Sequence, residues 1–244
     1  MKIRSKNRNR ALALLLASVL AGAENEALAF TDNFDANAIN STWWTVAAEG
    51  GSTVVASNNR VELTQGTSGF AALTFNTTVL GDFTASIDYS LLNWPANNQE
   101  RAVLNAFARI NNQLLVERIS DSQYDPSPTN TGEVYLTDFP GQGILGTSTS
   151  DTSGRLRLER NGDSVSGSFW NGVGWTVIGT YQAFDESHVA RTFGFGIFAG
   201  STVIPGVKVA FDNFVLDTAP VPLPPASLLL LSGLGMLGWR RIRR

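Results

Sequence analysis

Along this chain, short apolar runs alternate with clusters of Gly, Asn, Asp and Ser, and helical spacing of apolar residues is almost absent. Runs rich in β-branched and aromatic residues predict strands at 53–56, 60–64, 70–75, 83–91, 102–110, 113–119, 133–137, 155–159, 164–170, 175–181, 193–199 and 207–216. Several alternate with period two. Leu156 and Leu158 oppose Arg155, Arg157 and Glu159, and Val165, Gly167 and Phe169 oppose Ser164, Ser166 and Ser168. One face of each such strand is core and the other is wet, the habit of antiparallel sheets. Asn111-Asn112 and Asn161-Gly162-Asp163 read as hairpin connections whose turn residues need positive φ. The fold class is therefore all-β, a sandwich or barrel, within 30–219.

Two segments break this pattern. At the N-terminus five basic residues precede an uncharged 12-residue run, Ala11 to Gly22, followed by Ala27-Leu28-Ala29. A helix of that run spans about 18 Å, too short for a hydrocarbon core of about 30 Å. A basic region, an apolar run and an A-x-A site make 1–29 a secretory signal peptide cut after Ala29, with Ala27 and Ala29 as the cleavage residues. At the C-terminus the proline-rich stretch 219–225 leads into the uncharged run 226–239, closed by Arg240, Arg241, Arg243 and Arg244. From Leu223 the apolar stretch has 17 residues, about 25 Å of helix and the bottom of the spanning range. It reads as a marginal membrane anchor with its arginines on the cytoplasmic side.

This tail, 220–244, resembles the PEP-CTERM sorting signal of Gram-negative bacteria: a short Pro motif, a hydrophobic helix and an arginine cluster. Val221-Pro222-Leu223-Pro224 stands where that family usually has Val-Pro-Glu-Pro, with leucine replacing the glutamate. The resemblance implies an exosortase-type protease as processing partner, and a destination at the cell surface or in the extracellular matrix after cleavage.

The segment between the two ends resembles the concanavalin A-like lectin/glucanase (LamG-like) jelly roll. The residues that carry the likeness are Phe30-Thr31-Asp32-Asn33-Phe34-Asp35, the 154–162 and 175–179 segments, and the closing pair 193–200 and 209–214. The likeness implies an antiparallel two-sheet jelly-roll sandwich, flanked here by the signal peptide and the hydrophobic sorting helix. That sandwich carries lectins, hydrolases and adhesion modules alike, so it implies fold more than function. Domains of this type often tie their first and last strands with an ion, which makes structural calcium the candidate cofactor and Asp32, Asp35 and Asp212 its candidate ligands.

Composition narrows the chemistry. The chain has 244 residues, no cysteine and one histidine, which excludes a disulfide framework, thiolate metal sites and zinc sites built from several imidazoles. The family's Glu-x-Asp-x-x-Glu strand is absent, and Glu62, Glu117 and Glu159, each beside a basic residue (Arg60, Arg118, Arg160), read as solvent-facing strand charges. His188 lies in a polar loop with no Gly-x-Ser-x-Gly elbow to give it a serine. The chain is therefore read as non-catalytic. Sugar binding needs aromatic faces with amides and carboxylates beside them. Trp94, Trp170 and Tyr124 are its candidates, while Trp43, Trp44 and Trp175 are assigned to the core.

The formal charge of −3 averages three parts: +3 in 1–29, +4 in 220–244 and −10 in 30–219. An acidic domain does not hold nucleic acid or anionic polysaccharide through bulk charge. An extracellular polysaccharide, neutral or anionic and bridged by calcium, is the expected partner, with contact to the membrane through the C-terminal helix before processing. The alternatives are a hydrolase or lyase on the same fold, and a structural surface protein with no soluble ligand.

Overall fold

The computed structural model describes residues 27–109, 112–126, 132–140, 143–182, 190–200 and 203–218. Leu28–Ala219 form one compact unit. In chain order its strands are β1 (Ala29–Asp32), β2 (Trp44–Ala48), β3 (Thr53–Ser57), β4 (Arg60–Thr64), β5 (Phe70–Val79), β6 (Phe83–Asn93), β7 (Glu100–Arg109) and β8 (Asn112–Ser120). They continue with β9 (Glu133–Phe139), β10 (Gly143–Ser148), β11 (Ser153–Asn161), β12 (Ser164–Trp170), β13 (Trp175–Gln182), β14 (Arg191–Ala199) and β15 (Lys208–Thr218). An eight-stranded sheet runs β13-β12-β11-β6-β15-β4-β3, with β1 also paired to β15. A seven-stranded sheet runs β10-β9-β8-β7-β14-β5-β2. Neighbouring strands are antiparallel, as in β11 on β6 and β14 on β7. The expected all-β jelly-roll sandwich is what the chain forms.

Period-two alternation builds the core between the sheets. Leu156, Leu158, Ile87 and Phe211 face inward from one sheet, and Leu104, Val116, Phe193 and Phe195 from the other. Trp44 sits at the middle of an aromatic knot, edge-on to Phe214 at 5.0 Å and to Phe195 at 5.2 Å. Such pairs add about 0.5–1.5 kcal/mol beyond burial of their area. The β11–β12 hairpin turns on Gly162, whose φ of +58° is what a type II′ turn asks of its first central residue.

Several expectations need correction. Glu117 is 1% exposed, and Arg118 and Arg160 are also buried. Glu117 does point away from the core, but that outer face is itself covered, because the turn Ser122–Tyr124 lays Tyr124 over Ile119, Val134 and Leu136. Glu62 is likewise buried, held by Arg60 and Lys208. Trp43 is 37% exposed, and Trp175 lies half-buried on an outer face instead of in the core. β2 and β10, both edge strands, were not expected from the pattern.

The N-terminal strand starts early. Ala29 opens β1, and Leu28 exchanges two 2.8 Å hydrogen bonds with Thr218. No helix among the described residues is long and apolar enough to cross a membrane. Apart from Ala27–Ala29, the expected signal peptide lies outside the described residues, as do the Pro motif, the hydrophobic run and the arginine cluster of the tail.

Candidate functional site

The central strands of the seven-stranded sheet present a mixed aromatic and polar surface on the side away from the core. Inward positions on β14 are Phe193, Phe195 and Ile197, so Gly194, Gly196 and Phe198 face outward. Register places Phe198 opposite Arg101 of β7 on one side and Phe70 of β5 on the other. The Phe70 and Phe198 rings stack at 5.4 Å and 16°, and both are half-buried. Next to them Gly196 stands between Val103 and Ala72. A Cβ at Gly196 would sit 2.6 Å from the Ala71 carbonyl oxygen, so this close strand approach requires glycine. The following row is Asn105, Gly194 and Thr74. The floor is thus low between an aromatic row and a polar row.

The polar side is built on β7, β8 and β9. The Arg101 guanidinium lies 5.7 Å from the Tyr124 ring centre and donates to Glu117 Oε2 at 3.5 Å. Burial pushes the Glu117 carboxyl up to about 7; the Arg101 charge opposes this and the Asp138 charge adds to it. Glu117 pairs with Leu136 and Leu115 with Asp138, which makes the two acids diagonal neighbours about 7–8 Å apart. Asn105 Oδ1 is buried without a hydrogen-bond partner. This set offers flat apolar rings, an amide and a guanidinium, with the raised acid Glu117 buried beneath them. Such groups suit the C–H faces and hydroxyls of a sugar.

The residues expected from sequence fall in different places. Tyr124 does reach this surface, packed on the cluster of Ile119, Val134 and Leu136. Trp94 lies past the end of β6, half-buried, and donates from Nε1 to Glu133 Oε2 at 3.2 Å. Glu133 also binds Arg118 at 2.5 Å and accepts from Ser120 Oγ at 2.6 Å, so the indole is tied into a polar network. That network reaches inward: Arg118 Nε donates to the Asp151 carbonyl at 3.1 Å, and the Tyr89 and Tyr135 hydroxyls meet at 2.6 Å. Burial pushes the Tyr89 hydroxyl up to about 12. Trp170 stands on the outer face of the other sheet, edge-on to Trp175.

Each of the proposed calcium ligands accepts a hydrogen bond from the protein's own donors. Asp32 accepts from the Phe34 amide at 2.9 Å through Oδ1 and from Trp44 Nε1 at 2.8 Å through Oδ2. Asp35 accepts from Asn33 Nδ2 at 2.5 Å, and Asp212 from the Asn213 amide at 2.7 Å. Burial pushes the Asp212 carboxyl up, and the charges of Asp88 and Asp35 add to the shift. Among the described residues no three acidic or imidazole side chains converge as a metal site. His188 lies outside the described residues.

Phe70, Phe198, Arg101, Asn105 and Asp138 were not singled out from sequence. A signal for Phe198 was present. In Phe193-Gly194-Phe195-Gly196-Ile197-Phe198 the large residues alternate with glycine until Phe198 takes a glycine's place on the outer face.

No protein-family model matches the chain, and no curated protein matches it either. Solved structures do. A variant of the GH43 protein BlXynB from Bacillus licheniformis superposes with a TM-score of 0.57 at 14% identity, over 78% of this chain and 39% of that one. The chain thus spans well under half of that hydrolase. A β-1,3-glucanase from Mycobacterium marinum matches with a TM-score of 0.55 at 13% identity, over 77% of this chain and 97% of that one. Peanut lectin, bound to a nine-residue peptide, matches with a TM-score of 0.57 at 12% identity, over 81% of this chain and 100% of that one. The chain therefore has the jelly-roll fold that lectins and glycoside hydrolases share. At these identities the likeness concerns fold alone.

Proposed function

We propose that the protein binds neutral glycans on the outer face of its seven-stranded sheet, and that it does so at the cell surface or in an extracellular matrix. The observation that carries this reading is the stacked Phe70–Phe198 pair beside Arg101, with the unpartnered amide oxygen of Asn105 in the next row but one. The charge of −10 across 30–219 favours neutral over anionic ligands. Export rests on the signal peptide through Ala29. Retention and exosortase processing rest on Val221-Pro222-Leu223-Pro224 and the closing arginines. The test is calorimetric titration of the full-length chain with laminarihexaose, cellohexaose, xylohexaose and mannohexaose. Binding of at least one is expected, with Phe198→Ala weakening it roughly tenfold or more. Indifference to Phe198→Ala and Asn105→Ala overturns the assignment, and no binding at all favours a structural surface protein. Intact mass measurement of the protein from a host with the matching exosortase tests processing; an Arg244 end in every population refutes it.

A second reading, glycan hydrolysis, is favoured by one observation: Glu117 holds a proton near neutrality within reach of Asp138's charge. Release of reducing ends that Glu117→Gln abolishes would establish it. Binding without release keeps the protein a lectin-like module.

A further inference from the structure

We infer that the outer face of the eight-stranded sheet holds a second site for neutral glycans, built on Trp170, Trp175, Arg157 and Ser168, so that the protein bridges two polysaccharide strands. The inference rests on the glycan-binding reading above. Trp170 and Trp175 are register partners at the mouth of the β12–β13 hairpin. The turn between them is locked: Asn171 Oδ1 accepts from the amides of Val173 and Gly174 at 3.0 and 2.9 Å, and Asn171 N donates to the Gly174 carbonyl at 3.0 Å. The two rings stand 5.6 Å apart at 77°, a corner instead of a stack, and both are half-buried. Val173 at the tip is 90% exposed and Val177 is 53% exposed, so the corner opens onto solvent.

Hydrogen-bonding groups wait in that corner. Arg157 pairs with Ser168 across β11 and β12, on the side opposite Leu156 and Leu158 and therefore facing outward. Its guanidinium lies 4.4 Å over the Trp175 ring and one amino group binds Glu159 at 3.1 Å. Its Nε has no hydrogen-bond partner, and neither has the Ser168 hydroxyl, although Ser168 is fully buried. A buried polar group without a partner is costly, and two on register partners beside Trp175 mark a place where a ligand's hydroxyls can complete them. In this proposal the Arg157 guanidinium swings off Trp175 to admit the sugar. Charge defines the ligand class. Arg157 is matched by Glu159, and neighbouring Arg155 by Asp88, so the patch has no unmatched charge for a carboxylate or sulfate. A neutral pyranose, with its C–H face on an indole and its hydroxyls on Arg157 and Ser168, fits. Because this face and the Phe70–Phe198 face lie on opposite sides of the sandwich, one molecule can hold two chains at once.

The test titrates the full-length chain with the same four hexaoses and counts sites. Two sites per chain are expected. Trp170→Ala should remove one, Phe198→Ala the other, and the double variant both; Ser168→Ala should weaken the second site about tenfold. Binding that survives at the Phe198 site shows that Trp170→Ala is folded. The polymer of the bound sugar should give turbidity that either single variant abolishes. One site per chain, lost in Phe198→Ala and kept in Trp170→Ala, overturns this inference and leaves the first reading standing. One site lost only in Trp170→Ala overturns both the bridging and the first reading, leaving this patch as the one site. No binding overturns both. A dimer seen by sedimentation that dissociates in Trp170→Ala assigns the patch to self-association and also overturns it.

Discussion

Glu62 on β4 and Glu117 on β8 both stand on the outer side of their sheets. Each alternates with core residues, each points away from the core, and they are 7% and 1% exposed. Their neighbours set them apart. Glu62 accepts from Arg60 Nε and NH2 at 3.0 and 2.7 Å and from Asn58 at 3.4 Å, and it binds Lys208. Led by the Lys208 contact, these donors bring its carboxyl down to about 2 against the opposing effect of burial. Glu117 has one guanidinium at 3.5 Å and the Asp138 charge nearby, and burial takes it up to about 7. Burial sets the state of Glu117, whereas at Glu62 the donors from Lys208, Arg60 and Asn58 outweigh it. The first acid braces β4 against β15. The second is kept protonatable beneath the surface where a ligand is proposed, as functional acids tend to be.

The largest effect should come from stripping Glu62. Lys208→Met with Arg60→Met leaves a buried carboxylate without cations and should cost about 4 kcal/mol at pH 7 in denaturant unfolding. Adding Glu62→Met should recover most of that loss, since an apolar trio of similar volume is close to neutral. A loss below about 1 kcal/mol in the double variant would break the contrast. Glu117 should behave in the opposite sense. Its folded-state value lies above the ordinary 4.5, so its contribution is complete below pH 4.5 and is lost as pH rises through 7. Glu100, also raised to about 7 by burial despite the opposing Ile204 backbone hydrogen bond, acts in the same window. Glu62, lowered to about 2, contributes fully above pH 4.5 and loses its contribution as pH falls through 2. Glu117→Gln should thus stabilise the protein by about 2 kcal/mol at pH 8, do nothing at pH 4.5, and flatten the slope between. Equal effects at both pH values would sink the assignment.

The same two residues show what sequence makes legible. Alternation correctly placed Glu62 and Glu117 on the non-core side of their strands, because side-chain period in a strand is fixed by backbone geometry. It then equated that side with water. Whether an outer face is wet depends on a connection folding over it, here Tyr124 onto Ile119, Val134 and Leu136, and that contact lies far outside any strand's own pattern. Edge strands failed for a related reason. β10 is exposed at Gly143, Ile144, Leu145 and Gly146 alike, so no alternation existed to detect. Aromatic identity suffered too: Trp43 and Trp175 have the composition of core residues, but register puts Trp175 opposite Trp170 on an outer face. The hairpin at Gly162 was readable because its chemistry is local.

The smallest effect is the sharpest probe of the contrast. If neighbouring charges tune Glu117 on top of its burial, removing them should move its midpoint in opposite directions. Arg101→Gln takes away the charge that lowers it and should raise the midpoint above 7; Asp138→Asn takes away the charge that raises it and should lower the midpoint. At the effective dielectric of a protein each shift should be about a unit or less. Carbon-13 titration of the Glu117 side-chain carboxyl reads both directly. Because Arg101 also lies against Tyr124, Arg101→Met serves as a second variant that keeps apolar contact with the ring and should give the same upward shift. Movement of both variants in one direction, or of neither, would mean that desolvation alone holds the proton. Cations would then explain Glu62 but not its difference from Glu117.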